Sequence, residues 1–472
     1  MKRLLLWLPL VAVALWTAIN LLSLQTWPNI MAFGDEAWFS DVAWNLAHRF
    51  RLANDIFPLT GLESGIGIVS ETFYYFLLSC VFRLAGVGLL QARLLSLLGA
   101  GATILILAYR LRGFAWIAVA ASPSFLISAH TGRPEAVGVM LFTAYLIIAI
   151  SDAWAPMGIL GGLSFFISPI GGFWVSGVFL SWLILSAGWK RRLLAAALFA
   201  LSLLLSLGLT ALLGGPRFLP SDIYSNYYIP FLANQNPLFL LKAVIKKTYW
   251  FYLIRLKDPV ITALFAAAIL SAAIRRFRIG REERIVWLSF ALGVILSGLA
   301  VSRTPDYYFV YLLVPASIAA GLALRQTKAP RSLALFGLFA LLGLTKTFWD
   351  TGRLPDSDPP SKAASLRDDI PQGAGVVGPV NLWYVLYDKR LIFPLFAELT
   401  ESKEKFLARM DSLSPGFIVL TDRDTSGWLW EMAQEGRLVR RIPFRGYFMS
   451  ASPKPIKELL LYRLKPPESE TR

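Results

Sequence analysis

Apolar residues gather in long runs separated by short polar stretches, and the run lengths set the first expectation. Residues 4 to 24, behind Lys2 and Arg3, form an apolar run of about 20 residues, the length a helix needs to cross the hydrocarbon core. Further runs lie at about 71 to 87, 89 to 109, 114 to 129, 135 to 151, 156 to 187, 193 to 213, 258 to 274, 285 to 302, 306 to 324 and 332 to 349. Basic residues collect between them, at Arg110 and Arg112, Lys190 to Arg192, Arg275 to Arg284 and Arg325 to Arg331. Placing all four clusters in the cytoplasm puts the N-terminus inside. That parity requires 71 to 87 to be a juxtamembrane or half-inserted helix. It also requires 156 to 187 to be two short helices hinged at Ser168-Pro169-Ile170-Gly171-Gly172. The expectation is an all-α membrane domain of about eleven crossings, in a range of roughly 10 to 13, with the C-terminus outside. The first run reads as an uncleaved span rather than a signal peptide, because it lacks a clear small-x-small cleavage site and leads straight into further spans.

This topology collects the polar stretches on the outer side: the 25 to 70 loop, the His130 to Glu135 turn, the 214 to 257 segment, the Ser302 to Asp306 turn and everything beyond about residue 350. Lys242, Lys246, Lys247, Arg255 and Lys257 run against the positive-inside bias, and PLFLLKAVIKKTYWFYLIRLKDP reads as an amphipathic helix lying in the interface. After the Pro- and Asp-rich LPDSDPPSK linker, apolar runs GAGVVGPV, RLIFPLF and FIVLTD alternate with helix-like NLWYVLYD, ESKEKFLARMDSL and WLWEMAQEG. Residues 350 to 472 are therefore expected to form a small extracytoplasmic α/β domain behind a membrane domain at 1 to 349.

Composition agrees. With 472 residues, 56% hydrophobic and 16% charged, and a mean hydropathy of +0.57, the chain is a multi-pass membrane protein rather than a soluble globule. The net charge of +16 lies in short loops, not in a compact basic domain, so nucleic acid is not an expected partner. A single cysteine, Cys80, excludes an intrachain disulfide framework.

The candidate chemistry centres on residues 33 to 50, FGDEAWFSDVAWNLAHRF, directly after the first span. Asp35 and Glu36 are adjacent, Asp41 follows six residues after Asp35, and Ala37 to Phe50 has helical spacing. A carboxylate pair at a membrane surface suits a general base working on a substrate that arrives from the lipid; the same residues are also common in the first turn of any helix. The SAHTGRPEAVG turn adds His130, Arg133 and Glu135, and SRTPDYYFVYLLVP adds Arg303, Asp306, Tyr307 and Tyr308. Arg303, Arg133 and Arg93 are candidates for holding a phosphate, since the guanidinium fork matches its oxygens. His48, His130 and Tyr307 are candidate substrate contacts. No cofactor is certain from the sequence; a divalent metal held by His, Asp and Glu stays an open alternative, although the spacings match no standard ligand pattern.

Taken in order, the acidic pair in the first outer loop, the Ala-Arg-Leu around Arg93, the SPSFLISAHTGRPEA turn and a later R-x-x-D-Y-Y helix resemble the membrane glycosyltransferases of the GT-C fold. Within them the match is to the protein mannosyltransferase and aminoarabinose transferase group. The resemblance covers residues 1 to 349 in layout and the C-terminal domain in kind. It implies transfer of a sugar from a polyprenyl-phosphate donor to a protein, lipid or glycan acceptor at the outer face of the cell membrane. It further implies Asp35 as base, Glu36 as its binding or orienting neighbour and Glu135, where many relatives have Asp, as the second-loop acid. The rival from another class is a transporter or lipid flippase, which would carry its charges in mid-helix. A non-catalytic scaffold would tolerate the loss of Asp35.

Overall fold

In a computed structural model, residues 2–24, 35–56, 71–111, 114–214, 258–275, 279–300, 306–325, 328–351, 360–392, 402–424, 427–446 and 456–464 are described. The interfacial helix expected within 215–257, the linker at 352–359 and Arg303 lie outside them. By contacts the chain divides into two compact units. One comprises residues 1–24, 69–74 and 93–352; the other comprises residues 25–68, 75–92 and 353–472. The first-loop helix thus clusters with the C-terminal region.

The helical unit contains α1 (Lys2–Ser23), most of α4 (Leu89–Leu111), α5 (Ala115–Ala120), α6 (Pro123–Ala129), α7 (Glu135–Ile150), α8 (Trp154–Ser164), α9 (Pro169–Leu185), α10 (Trp189–Gly214), α11 (Pro259–Ile274), α12 (Arg281–Ala300), α13 (Val310–Ala323) and α14 (Ala329–Thr351). Among the described residues three helices are long and apolar enough to cross a membrane, over Leu89–Arg110, Trp189–Leu213 and Ala329–Asp350. Their outward faces carry bare leucines, such as Leu204, Leu205 and Leu212 on α10 and Leu338 and Leu341 on α14. A folded chain presents such rows to lipid rather than to water.

The hinge expected in 156 to 187 is present: α8 ends at Ser164, and Ser168 caps α9 by accepting from Gly171 N–H, with Pro169 at the first helical position. The same device corrects the reading of 114 to 129 as one span. Ser122 accepts from Phe125 N–H and Pro123 follows, so the run is two short helices, α5 and α6. The break is secured from afar by buried Asp258, the cap of α11. Its Oδ1 accepts from Val260 N–H (3.0 Å) and Ile261 N–H (3.3 Å), and its Oδ2 from the Ser122 hydroxyl (2.5 Å) and Ser124 N–H (3.0 Å). Helix contacts run over small residues: a Cβ on Gly162 of α8 would press on the backbone of α10 at Leu203 N. Close backbone approach of this kind replaces the hydrophobic drive that lipid removes.

The second unit holds α2 (Asp35–Arg49), most of α3 (Thr72–Ala85) and the C-terminal α/β region. Helix α3 has 14 residues, about 21 Å at 1.5 Å per residue, too short to span. In the C-terminal region a short helix that was not expected, α15 (Leu366–Asp369), comes first, and β1 (Gly375–Val377), α16 (Trp383–Leu386), β2 (Arg390–Ile392), α17 (Lys403–Leu413), β3 (Phe417–Thr421) and α18 (Trp428–Glu435) then follow the expected order. Two strands that the sequence did not announce follow them, β4 (Arg437–Gly446) and β5 (Ile456–Arg463). The sheet order is β2-β1-β3-β5-β4, parallel across β2, β1 and β3 and antiparallel across β3, β5 and β4. Central β3, FIVLT, is buried at every position, which accounts for its unbroken apolar run. Phe406 and Met410 of α17 and Ala433 of α18 close one core with Val377, Ile392, Ile418 and Leu460. Each such large apolar side chain contributes about 1.5–3 kcal/mol on burial.

Candidate active site

Helix α2 begins at Asp35, two residues before the start its apolar spacing predicts, so the acidic pair forms its first turn. Glu36 is buried; His48, near the other end, is exposed, its ring stacked on Trp44 and its Nδ1 3.0 Å from the Trp44 carbonyl. A first-turn carboxylate faces the positive end of the helix dipole, which favours its charged form.

The middle of α2 carries a group that the sequence reading left without a role. Asp41 is 4% exposed, and its Oδ1 accepts the Trp383 indole N–H of α16 at 2.9 Å. Its Oδ2 accepts Asp55 N–H at 2.6 Å and, more weakly, the Asn45 amide at 3.5 Å. Burial pushes its carboxyl up to about 7. The Asp55 N–H pulls it back down, the Asp55 charge raises it, and the Trp383 bond and the Arg49 charge lower it. Beside it the Ser40 hydroxyl meets the Tyr384 hydroxyl at 3.0 Å. At the C-terminal end of α2, Arg83 of α3 donates to the Ala47 carbonyl from Nε (2.8 Å) and Nη2, while its guanidinium lies 4.8 Å over the ring of Phe50. Phe82 of α3 stacks on Trp383 with ring centroids 6.4 Å apart.

In the helical unit the structure brings Arg133 and Glu135 together as a buried two-point ion pair. Arg133 Nε donates to Oε2 and Nη2 to Oε1, both at 3.0 Å, and each side chain is 4% exposed. The Ser96 hydroxyl of α4 holds the Arg133 carbonyl (2.9 Å). Fully buried Arg93 donates to the Leu24 carbonyl at the end of α1 (2.7 Å). His130, in the turn between α6 and α7, has Nδ1 2.8 Å from the Leu126 carbonyl and Nε2 3.0 Å from Ser23 Oγ. Burial lowers its pKa to about 4, opposed by the Leu126 bond and assisted by the Arg93 charge, so the ring is neutral at pH 7. Arg93 and His130 together fasten the end of α1. Asp35 and Tyr307 are described in their backbone only, as the first residue of α2 and within the 3₁₀ turn Asp306–Phe309; Arg303 lies outside the described residues. Among the described residues no three His, Cys, Asp or Glu side chains come close enough to hold a metal ion.

No protein-family model matches the chain, and no curated protein does. Solved structures do. ArnT from Cupriavidus metallidurans bound to undecaprenyl phosphate is similar at a TM-score of 0.60 and 13% identity, over 97% of this chain and 97% of that one. The apo state of the same protein is similar at 0.62 and 13%, over 96% and 97%. The arabinofuranosyltransferase AftD from Mycobacteria is similar at 0.51 and 16%, over 96% of this chain and 41% of that longer one. The chain therefore has the GT-C glycosyltransferase fold, helical with a small C-terminal sheet, along nearly its whole length.

Proposed function

We propose that this protein is a membrane glycosyltransferase that moves a sugar from a polyprenyl-phosphate donor to a protein, lipid or glycan acceptor. The observation that carries this reading is the likeness of nearly the whole chain to ArnT with undecaprenyl phosphate bound, in a chain whose first-loop helix opens on Asp35 and Glu36. In the reaction the acceptor hydroxyl oxygen attacks the anomeric carbon and the bond from that carbon to the phosphate oxygen breaks. The bonding pair leaves with the phosphate, and the hydroxyl proton goes to a base. Asp35 takes that proton and Glu36 orients the acceptor. Arg303 and Arg133 offset the charge developing on the phosphate, Arg133 being held in place by Glu135, with Arg93 the more remote cation. His48, His130 and Tyr307 serve substrate contact. The sugar is a hexose or a pentose, membrane lipids surround about eleven crossings, and the C-terminal region and first loop face away from the cytoplasm of the cell membrane.

Asp35→Asn keeps shape but removes basicity, so turnover should fall by about 100-fold or more. Purified full-length protein given a panel of undecaprenyl-phosphate-linked hexoses and pentoses would read this. Wild-type turnover in Asp35→Asn on a sugar that the wild type uses would remove the enzymatic reading of α2.

A further inference from the structure

We propose that Asp41 and Trp383 are positioning residues for the transfer reaction: the C-terminal region grips α2 by its middle and thereby sets the place of the acidic pair at its first turn. The inference rests on the proposed role of Asp35 and Glu36, and it assigns the C-terminal α/β region a part in the chemistry.

Three segments converge on one buried carboxylate. They are α2 itself, the backbone at Asp55 through its N–H, and α16 through the fully buried indole of Trp383. Ser40 and Tyr384 make a second polar link between the same two helices, one residue along. Further fixed points of α2 are Ala47, held by Arg83, and the Trp38 carbonyl, which accepts the Asn54 amide at 3.4 Å. At 1.5 Å per residue Glu36 lies about 16 Å along the axis from Ala47, and Asp41 lies between them, about 7 Å from Glu36. Held only at Ala47, α2 would move Glu36 by about 1.4 Å for a tilt of about 5°. Displacements of about 1 Å at a reacting group cost up to about 100-fold in rate. By helical rotation position 36 lies about 140° round the axis from position 41 but only about 40° from position 40, so the Ser40 link lies on the face that carries Glu36 and the Asp41 link lies well round from it. Packing alone would be served as well by an apolar residue, since burying a carboxylate is costly unless its acceptors are used.

Trp383→Phe keeps a ring of nearly the same shape against Phe82 while removing the indole N–H; Tyr384→Phe removes the second link. Both would be made in the full-length protein. Transfer would be assayed with the undecaprenyl-phosphate sugar that the wild type turns over, and binding would be measured with undecaprenyl phosphate alone. Trp383→Phe should lose about 10- to 100-fold in kcat, with affinity for undecaprenyl phosphate within about twofold of wild type. Amide hydrogen exchange should quicken along residues 35–45 and stay unchanged in β3 and β5, a pattern that separates a loosened helix from an unfolded region. Tyr384→Phe should shift in the same direction by less. Wild-type kcat in Trp383→Phe, alongside an inactive Asp35→Asn, would overturn the positioning role and leave the functional reading standing. Full activity in Asp35→Asn would overturn both. Should Trp383→Phe fail to fold, unchanged kcat and unchanged exchange in Tyr384→Phe would overturn the proposal.

Discussion

Replacing Asp41 by Asn should change how stability responds to pH, and the size of the effect follows from where the carboxyl lies. Its pKa is about 7 in the folded protein against 3.8 for an ordinary aspartate, a difference of about 3 units, and each unit is worth about 1.36 kcal/mol. Because the folded state holds this proton more tightly than the unfolded chain, the native state is favoured while the group is protonated in both, below about pH 4. That advantage is lost as pH rises through 4 to 7, and the full cost of about 4 kcal/mol is present above 7. Asn cannot lose a proton, so the difference between the two proteins cancels every titrating group that does not feel the Asp41 charge. Thermal unfolding of both full-length proteins in detergent, followed from pH 4 to 8, should show Asp41→Asn gaining on the wild type by roughly 4 °C across that window and running parallel to it above about pH 8. An offset at pH 4 would reflect only how well the amide replaces a carboxylic acid. Parallel curves throughout would refute the reasoning. A gain by the wild type would mean that the Trp383 and Asp55 N–H donors outweigh burial.

The buried Arg133 and Glu135 pair should behave as a unit: Glu135→Leu or Arg133→Met alone should cost about 3–5 kcal/mol in unfolding free energy by stranding a charge, and the double replacement less than either, as a double-mutant cycle would read. Gly162→Ala should lower the melting temperature through overpacking of about 1–3 kcal/mol, because its Cβ would press on the α10 backbone at Leu203 N. Gly337→Ala in α14, where a Cβ meets nothing within 4 Å, should be neutral or slightly stabilising.

What the sequence disclosed depended on how local the cause was. The α8 to α9 break was readable because Ser168 and Pro169 carry their own capping chemistry. Ser122 and Pro123 carry the same signal, yet the hydropathy of the surrounding run hid it, and the carboxylate that secures the break belongs to residue 258. Strand β3 was legible as an apolar run; β4 is an edge strand exposed from Arg437 to Arg441, and only Arg441 to Arg445 alternates, with Ile442 and Phe444 buried, too short a stretch to announce a ten-residue strand. Asp35 and Glu36 announced themselves by adjacency, whereas the meaning of Asp41 lies in Trp383, 342 positions away. Arg133 and Glu135 were readable as neighbours. Their mutual engagement at 3.0 Å was not, because it depends on the rotation of α7.

The positions of charge along the helices also weigh against a transporter. Such a protein would bind its cargo at ionisable groups in mid-helix or at the broken segments of discontinuous helices. Glu135 is the first residue of α7 and its only charge, and α9, α11 and α13 carry none. In α12 the charges occupy the first four residues, and in α10 they follow Trp189 directly. Helix α14 has Arg331 near its start and Lys346 and Asp350 within its last turns, where they pair with each other. The break between α8 and α9 contains Phe165, Phe166, Ile167 and Ser168, none of them ionisable, and the Ser168 hydroxyl receives the Tyr311 hydroxyl at 3.0 Å. The break between α5 and α6 does face a buried carboxylate, Asp258. Its two oxygens, however, already accept four donors from two helix N-termini, which is the coordination of a cap rather than of a site waiting for an ion. Among the described residues of the helical unit the charged side chains therefore lie at or near helix ends rather than in mid-helix.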